Sequence, residues 1–236
     1  MAKVELYEVG PRDGFQNLKD IVPTETKLDL VDRMVGTGIR HLQCTSFVSP
    51  KAIPQMADAK ELAATCVEKY PDLDLFALIP NLYGAKAALA VGIKSVDMVI
   101  SLSESHNKAN INRTHEQSFA ELRNVLDNCP ELKLTVDIAT AFGCPFEGAV
   151  PPEKVLEMVR HGVDIGITKV RVVANKIRDD SDRAFIRSRI PADDLLGFIS
   201  YNSDVIDADR KGLSPYDCSP QALEEIRAIK ARIDQE

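Results

Sequence analysis

The chain has 236 residues, is 44% apolar and carries a net charge of −7. That length and apolar content suit one large α/β domain or two small ones, and the acidic balance argues against sequence-independent nucleic-acid binding. The longest apolar runs are only strand-length, which predicts no membrane span.

The first strand is expected over residues 4–9, where apolar and polar residues alternate from Val4 to Tyr7. It runs into Glu8-Val-Gly-Pro-Arg-Asp-Gly-Phe-Gln-Asn17, which sets a guanidinium (Arg12) beside a carboxylate (Asp13) at a strand's C-terminal end. In parallel α/β folds that end is where chemistry sits. A carboxylate there can hold a divalent cation, and an arginine can steady an oxyanion. A helix is expected over 23–37, opened by Thr24, with Leu28, Leu30, Val31, Met34 and Val35 at helical spacing and Gly36 and Gly38 at its end.

The alternation then repeats. Strands are expected at 41–47, 74–79, 96–101 and 133–140, and helices at 58–70, 83–91, 114–128 and 152–162. Such regular alternation implies parallel strands with right-handed crossovers. Beyond it come a sixth strand (169–177), a helix (179–190), a seventh strand (195–201), a short helix (205–211) closed by Gly212, and an amphipathic helix (220–233). No eighth strand is evident, and a full eight-stranded barrel takes about 250 residues. The expected fold is therefore α/β, a mostly parallel sheet of about seven strands. A closed barrel and an open doubly wound sheet both stay open, and an open edge would favour a homodimer.

Cys44, Cys66, Cys129, Cys144 and Cys218 show no C-x-x-C spacing and read as free thiols in a reducing cytosol. Met1-Ala2-Lys3 leads directly into a strand, without the apolar core of a signal peptide. Together these predict a cytoplasmic protein. Cys144 reads as a plain buried or half-buried thiol, and His106 and His115 as solvated loop residues. Asp179-Asp-Ser-Asp182 reads as a helix N-cap, and Asp204, Asp207 and Asp209 as a solvated face.

Residues 4 to about 158 resemble the hydroxymethylglutaryl-CoA lyase family, metal-dependent TIM-barrel enzymes. The resemblance rests on Val9-Gly-Pro-Arg-Asp-Gly-Phe-Gln-Asn17, Thr45-Ser-Phe-Val-Ser-Pro-Lys51 with Pro54-Gln-Met56, Asn107 to Asn112, and Ala141-Phe-Gly-Cys-Pro-Phe-Glu-Gly148. It implies Arg12 as a catalytic residue, Asp13 as a metal ligand, and Gln16, Lys19, Gln43 and Ser46 as substrate-binding positions for an acyl-CoA. A glutamate of the family aligns with Gln43, which removes one charge. The family's His-x-His ligand pair has no counterpart, because the four histidines are His41, His106, His115 and His161. The family's later cysteine loop is also absent.

The tail resembles something else. Asp164 to Arg178 and Leu196 to Gly212 are similar to the C-terminal part of MinD-type P-loop ATPases, of the kind that accompany nickel insertion into carbon monoxide dehydrogenase. That resemblance implies an adenine contact at Asn175. The phosphate-binding G-x-x-x-x-G-K-[ST] loop is missing.

The two resemblances together imply an engineered hybrid joined near 158–165, with a lyase-like (βα)5 segment over 1–160 and an ATPase-like segment over 161–236. Its site would be incomplete and its chemistry silent. It would hold no cofactor tightly, Mg²⁺ or Mn²⁺ only where the lyase site survives, and acyl-CoA weakly, with no nucleic-acid or membrane partner. The alternatives are a divalent-metal-dependent retro-aldol lyase giving acetyl-CoA and acetoacetate, and adenine-nucleotide binding through the tail.

Overall fold

The computed structural model describes residues 7–141, 143–167, 172–211, 213 and 215–233. It divides into two compact units, residues 5–148 and, apart from the extreme N-terminus, 149–236.

The first unit is built on five parallel strands in consecutive order: β1 (Tyr7–Glu8), β2 (His41–Ser46), β3 (Asp74–Leu78), β4 (Ser95–Ser101) and β5 (Lys133–Ala139). Each strand is followed by helix, so consecutive strands pair in parallel as a curled half-barrel. The helices are α1 (Gly10–Gln16), α2 (Thr24–Gly36), α3 (Ala59–Lys69), α4 (Leu82–Ala90), α5 (Glu104–Ile111) and α6 (His115–Asn128). A 3₁₀ turn at Pro54–Met56 precedes α3. The core lies between sheet and helices, where Leu42, Leu62, Ala77, Val96, Ile100 and Leu122 are fully or almost fully buried. A two-stranded ladder follows, β6 (Gly143–Cys144) with β7 (Gly148–Ala149).

The second unit holds α7 (Pro152–Asp164), β8 (Val172–Ile177), α8 (Asp180–Arg189), β9 (Leu195–Ser200), α9 (Ser203–Arg210), α10 (Pro215–Cys218) and α11 (Pro220–Ile233). β8 and β9 pair in parallel around a core of Val172, Ala174, Ile177, Ile186, Leu195 and Phe198. A Cβ at Gly197 would stand 2.5 Å from Ile229, so the missing side chain is what lets α11 lie against β9. Asp179 caps α8, its carboxylate accepting the N–H groups of Ser181 and Asp182, as the acidic cluster predicts.

Several expectations change. Among the described residues the long parallel strands form sheets of five and two, not one sheet of about seven. The segment after β1, to which the sequence reading assigns no element, is a helix, with Pro11 at its start and Asp13 in its first turn. Residues 104–111 add a further unexpected helix. Thr24 does not cap α2; it is the first helical residue and donates to Asp58 instead. The most buried positions of α2 are Lys27 and Val31, so the expected apolar stripe is crossed by a cation. Lys27 Nζ meets Asp58 at 2.7 Å and the Gln55 carbonyl at 2.5 Å, which is how a charge survives there. The expected starts of the first strand (4–6) and sixth strand (169–171), and Gly212, lie outside the described residues.

Candidate functional site

The C-terminal rim of β1–β4 carries a cleft of about 490 Å³, lined by Arg12, Asp13, Gln16 and Asn17 on one side and Asn110 and Arg113 on another. Its walls are apolar, with Val48, Ile53, Leu78, Ile79 and Met98. A cleft of this size suits the reacting head of a ligand.

Arg12 is fixed twice. Its Nη1 donates to Asp13 Oδ1 at 2.7 Å, and its Nε donates to Gln43 Oε1 at 2.5 Å. Gln16 is a second partner to the Asp13 carboxylate, donating at 2.9 Å. At the turn from β1 into α1 the Glu8 carboxylate accepts the Gly10 N–H at 2.6 Å.

Gln43 then passes the connection on. Its Nε2 donates to Asp97 Oδ2 at 2.6 Å, across the intervening strand β3. Strands two apart in a sheet lie about 9–10 Å from each other. Two short side chains bridge that gap only on a concave face, so the bond is a consequence of the sheet's curl. The charge that the family resemblance places at 43 therefore stands one hydrogen bond behind it, on Asp97.

Burial pushes the Asp97 carboxyl up to about 6, Asp137 on β5 adds repulsion, and the Gln43 bond and Arg12 pull in the opposite direction. Desolvation also raises Asp137, against the pull of Arg12, although its side chain is open to solvent on one side. The Arg12–Gln43–Asp97 chain thus contains a group that exchanges its proton close to neutral pH.

Ser46 reaches this face through an irregularity. Gln43 pairs with Phe76 but Thr45 pairs with Ala77, so Cys44 is an extra residue in β2. The bulge reverses the alternation. Gln43 and Ser46, three positions apart, consequently share one face, and Ser46 pairs with the cleft residue Leu78. Ser46 Oγ is fully buried and is, among the described residues, without a hydrogen-bond partner. An unmatched buried hydroxyl costs about 1–3 kcal/mol, and Ser46 itself does not line the cleft.

The remaining sequence-predicted residues sort as follows. Arg12, Asp13, Gln16 and Gln43 are brought together. Lys19 is exposed in the bend after α1 and does not line the cleft. Asn175 belongs to β8 in the other unit, and its side chain lies outside the described residues.

His106 and His115 are not solvated loop residues. They sit on α5 and α6, half-buried, with ring nitrogens 2.8 Å from Ser101 Oγ and the Ser101 carbonyl respectively. Cys144 is a buried thiol, as expected, and donates to Ser103 Oγ at 3.0 Å. Burial pushes that thiol up, but Ser103 and the N–H groups of Phe146 and Glu147 outweigh it, and the net shift is downward. All five cysteines are free.

Asp97, Asp137 and Arg113 had no place in the sequence reading. The signal for the first two was a carboxylate at an alternate position of an apolar strand, Val-Asp-Met-Val in β4 and Val-Asp-Ile in β5.

The family model described as HMGL-like matches residues 3–175. The chain belongs to this HMGL-like family. It is 42% identical over 169 residues to the mitochondrial hydroxymethylglutaryl-CoA lyase of Arabidopsis thaliana, covering 71% of this chain and 36% of that protein. It is 37% identical over 181 residues to the (R)-citramalyl-CoA lyase of Chloroflexus aurantiacus, covering 72% of this chain and 57% of that one. The chain therefore spans roughly a third to just over half the length of these relatives. A hydroxymethylglutaryl-CoA lyase from Pseudomonas aeruginosa superposes with a TM-score of 0.69 at 32% identity, over 82% of this chain and 67% of that one.

The divalent metal implied by the family resemblance was tested against the donors present. Asp13 offers one carboxylate, already shared between Arg12 and Gln16. Among the described residues no three of His, Cys, Asp and Glu converge as a ligand set. Those residues do not complete a site for Mg²⁺ or Mn²⁺, which take several oxygen ligands. Among the described residues no helix is long and apolar enough to cross a membrane.

Proposed function

We propose that the chain is a carbon–carbon lyase acting on a 3-hydroxyacyl-CoA by retro-aldol cleavage. The observation that carries the reading is Arg12, locked by Gln43 and Asp13 on the rim of an apolar cleft in an HMGL-like chain. In such a cleavage the hydroxyl proton leaves and the hydroxyl oxygen forms a carbonyl. The Cα–Cβ bond breaks, and its electron pair becomes the enolate of the departing acyl-CoA, which then takes up a proton. Arg12 is the group suited to steady the enolate oxygen, because its guanidinium is preorganised before charge develops. Asp97, through Gln43, positions Arg12 and does not itself touch substrate. The described residues complete no metal site, so no step is assigned to a metal. The hydroxymethylglutaryl and citramalyl thioesters named for the relatives share the 3-hydroxyl that this chemistry requires, and both also carry a free carboxylate.

The test is release of acetoacetate from 3-hydroxy-3-methylglutaryl-CoA, with and without Mg²⁺ or Mn²⁺, beside the Arg12→Gln variant. Turnover lost in the variant supports the proposal. No release above the variant, from a chain with a cooperative thermal melt, refutes it.

A second reading is a catalytically silent hybrid. What favours it is neutral Gln43 where the family resemblance implies a glutamate, together with the lack of a His-x-His pair in the sequence. Adenine-nucleotide binding through Asn175 belongs to this reading, and isothermal titration with ADP tests it.

A further inference from the structure

The cleft has a second guanidinium, Arg113, and the chain fixes its position with unusual care. Arg113 follows Asn112, whose φ of 53° places it in the left-handed region at the end of α5. Its carbonyl accepts from Asn107 Nδ2 at 2.8 Å. Asn107 is fully buried, accepts the Ser101 N–H at 3.0 Å and donates to Ser118 Oγ at 2.9 Å. On the other side Thr114 closes a capping box with Gln117 at the start of α6. The side chain is held as well, with Nη1 donating to the Pro80 carbonyl at 2.5 Å.

Its charge, in contrast, is poorly matched. Glu121 stands 3.9 Å from Nη2, beyond hydrogen-bond range, and its Oε1 is already taken by the Leu82 N–H at 2.8 Å. Arg12, by comparison, has a carboxylate oxygen at 2.7 Å. A rigidly placed guanidinium on the wall of the cleft, whose nearest carboxylate is Glu121 at 3.9 Å and outside hydrogen-bond range, has donors left for a ligand carboxylate.

We propose that Arg113 determines specificity by gripping the free carboxylate of the acyl group while Arg12 faces the thioester oxygen. The proposal rests on the acyl-CoA lyase reading and sharpens it to thioesters whose acyl chain ends in a carboxylate. Val48, Ile53 and Met98 line the same cleft as the two guanidiniums, and such apolar lining suits a carbon skeleton.

The test compares, by calorimetry on the full chain, binding of 3-hydroxy-3-methylglutaryl-CoA and of 3-hydroxy-3-methylbutyryl-CoA, which lacks the carboxylate. The expected preference for the carboxylated ligand is about 10- to 100-fold, the range of one charge-assisted pair. Arg113→Gln should abolish that preference and leave binding of the neutral ligand unchanged, while Arg113→Lys should restore part of it. The neutral ligand serves as the folding control. Equal binding of both ligands by the unmodified chain overturns the proposal. So does a preference that survives Arg113→Gln, or a variant that weakens both ligands alike. A preserved preference without turnover would remove the lyase chemistry and leave Arg113's role standing. Binding of neither ligand would remove both.

Discussion

Replacing Asp97 by Asn should stabilise the protein at neutral pH, against the usual expectation for a hydrogen-bonded carboxylate. The folded Asp97 carboxyl titrates at about 6, raised chiefly by burial and then by Asp137. An unfolded aspartate titrates near 3.9. Between those values the native state binds more protons than the unfolded chain, so stability falls as pH rises through that window. The full difference corresponds to about 3 kcal/mol at pH 7.5. Asp97 is only partly buried, and solvent screening roughly halves that, leaving about 1–2 kcal/mol. Asparagine keeps an oxygen to accept from Gln43 and carries no charge to desolvate. Asp97→Asn should therefore raise Tm by about 3–6 °C at pH 7.5, and by about half as much at pH 5. Circular-dichroism melts of both proteins at both pH values check this. A lower Tm for the variant at pH 7.5 would refute the reasoning, and so would a gain equal at both pH values.

Three further outcomes are expected. Gln43→Glu sets a second carboxylate within hydrogen-bond distance of Asp97, and two carboxylates so close share a proton. The variant should lose about 1–2 kcal/mol at pH 8 and little at pH 5, read by urea titration at the two pH values. Lys27→Met leaves Asp58 without its buried partner and should cost about 3 kcal/mol in chemical denaturation, much of it recovered by adding Asp58→Asn. Asn107→Ala removes three hydrogen bonds from a fully buried side chain and should cost about 2–3 kcal/mol. Faster amide exchange at residues 112–114 would place that loss where Arg113 is held.

The strands and most helices were legible because their signals are local. β2 to β5 and α2, α3, α4, α6, α7, α8 and α11 fall within a few residues of where periodicity and capping residues put them. The helices that escaped are those whose signals point two ways. Gly10 and Gly14 are poor helix formers, yet Pro11 in the first turn with Asp13 beside it is how a helix starts. Glu104–Ile111 is polar all round, and only the Ser103 cap, accepting the His106 N–H at 3.2 Å, betrays it. How many strands join one sheet was not local either, because it depends on pairings that no strand specifies alone.

The candidate site divides along the same line. Arg12, Asp13 and Gln16 are neighbours in sequence, so a motif could place them together. Gln43 and Ser46 needed the bulge at Cys44 to share a face, and strict alternation would have set them on opposite ones. Asp97 bonds to Gln43 only because the sheet curls, a property of five strands at once. That dependence changes how Gln43 is understood. Read in sequence, it is a charge removed from a lyase site. Read in the fold, it is a neutral relay between a guanidinium and a carboxylate that titrates at about 6. A glutamate at that position would pair with Arg12 directly and repel Asp97. With glutamine present, the Asp97 charge stays close enough to orient Arg12, and its second partner, Asp13, is the only carboxylate in direct contact with it among the described residues. Arg12 thus keeps hydrogen-bonding capacity for an incoming oxyanion, and the departure at Gln43 alters the electrostatics of the site without dismantling it.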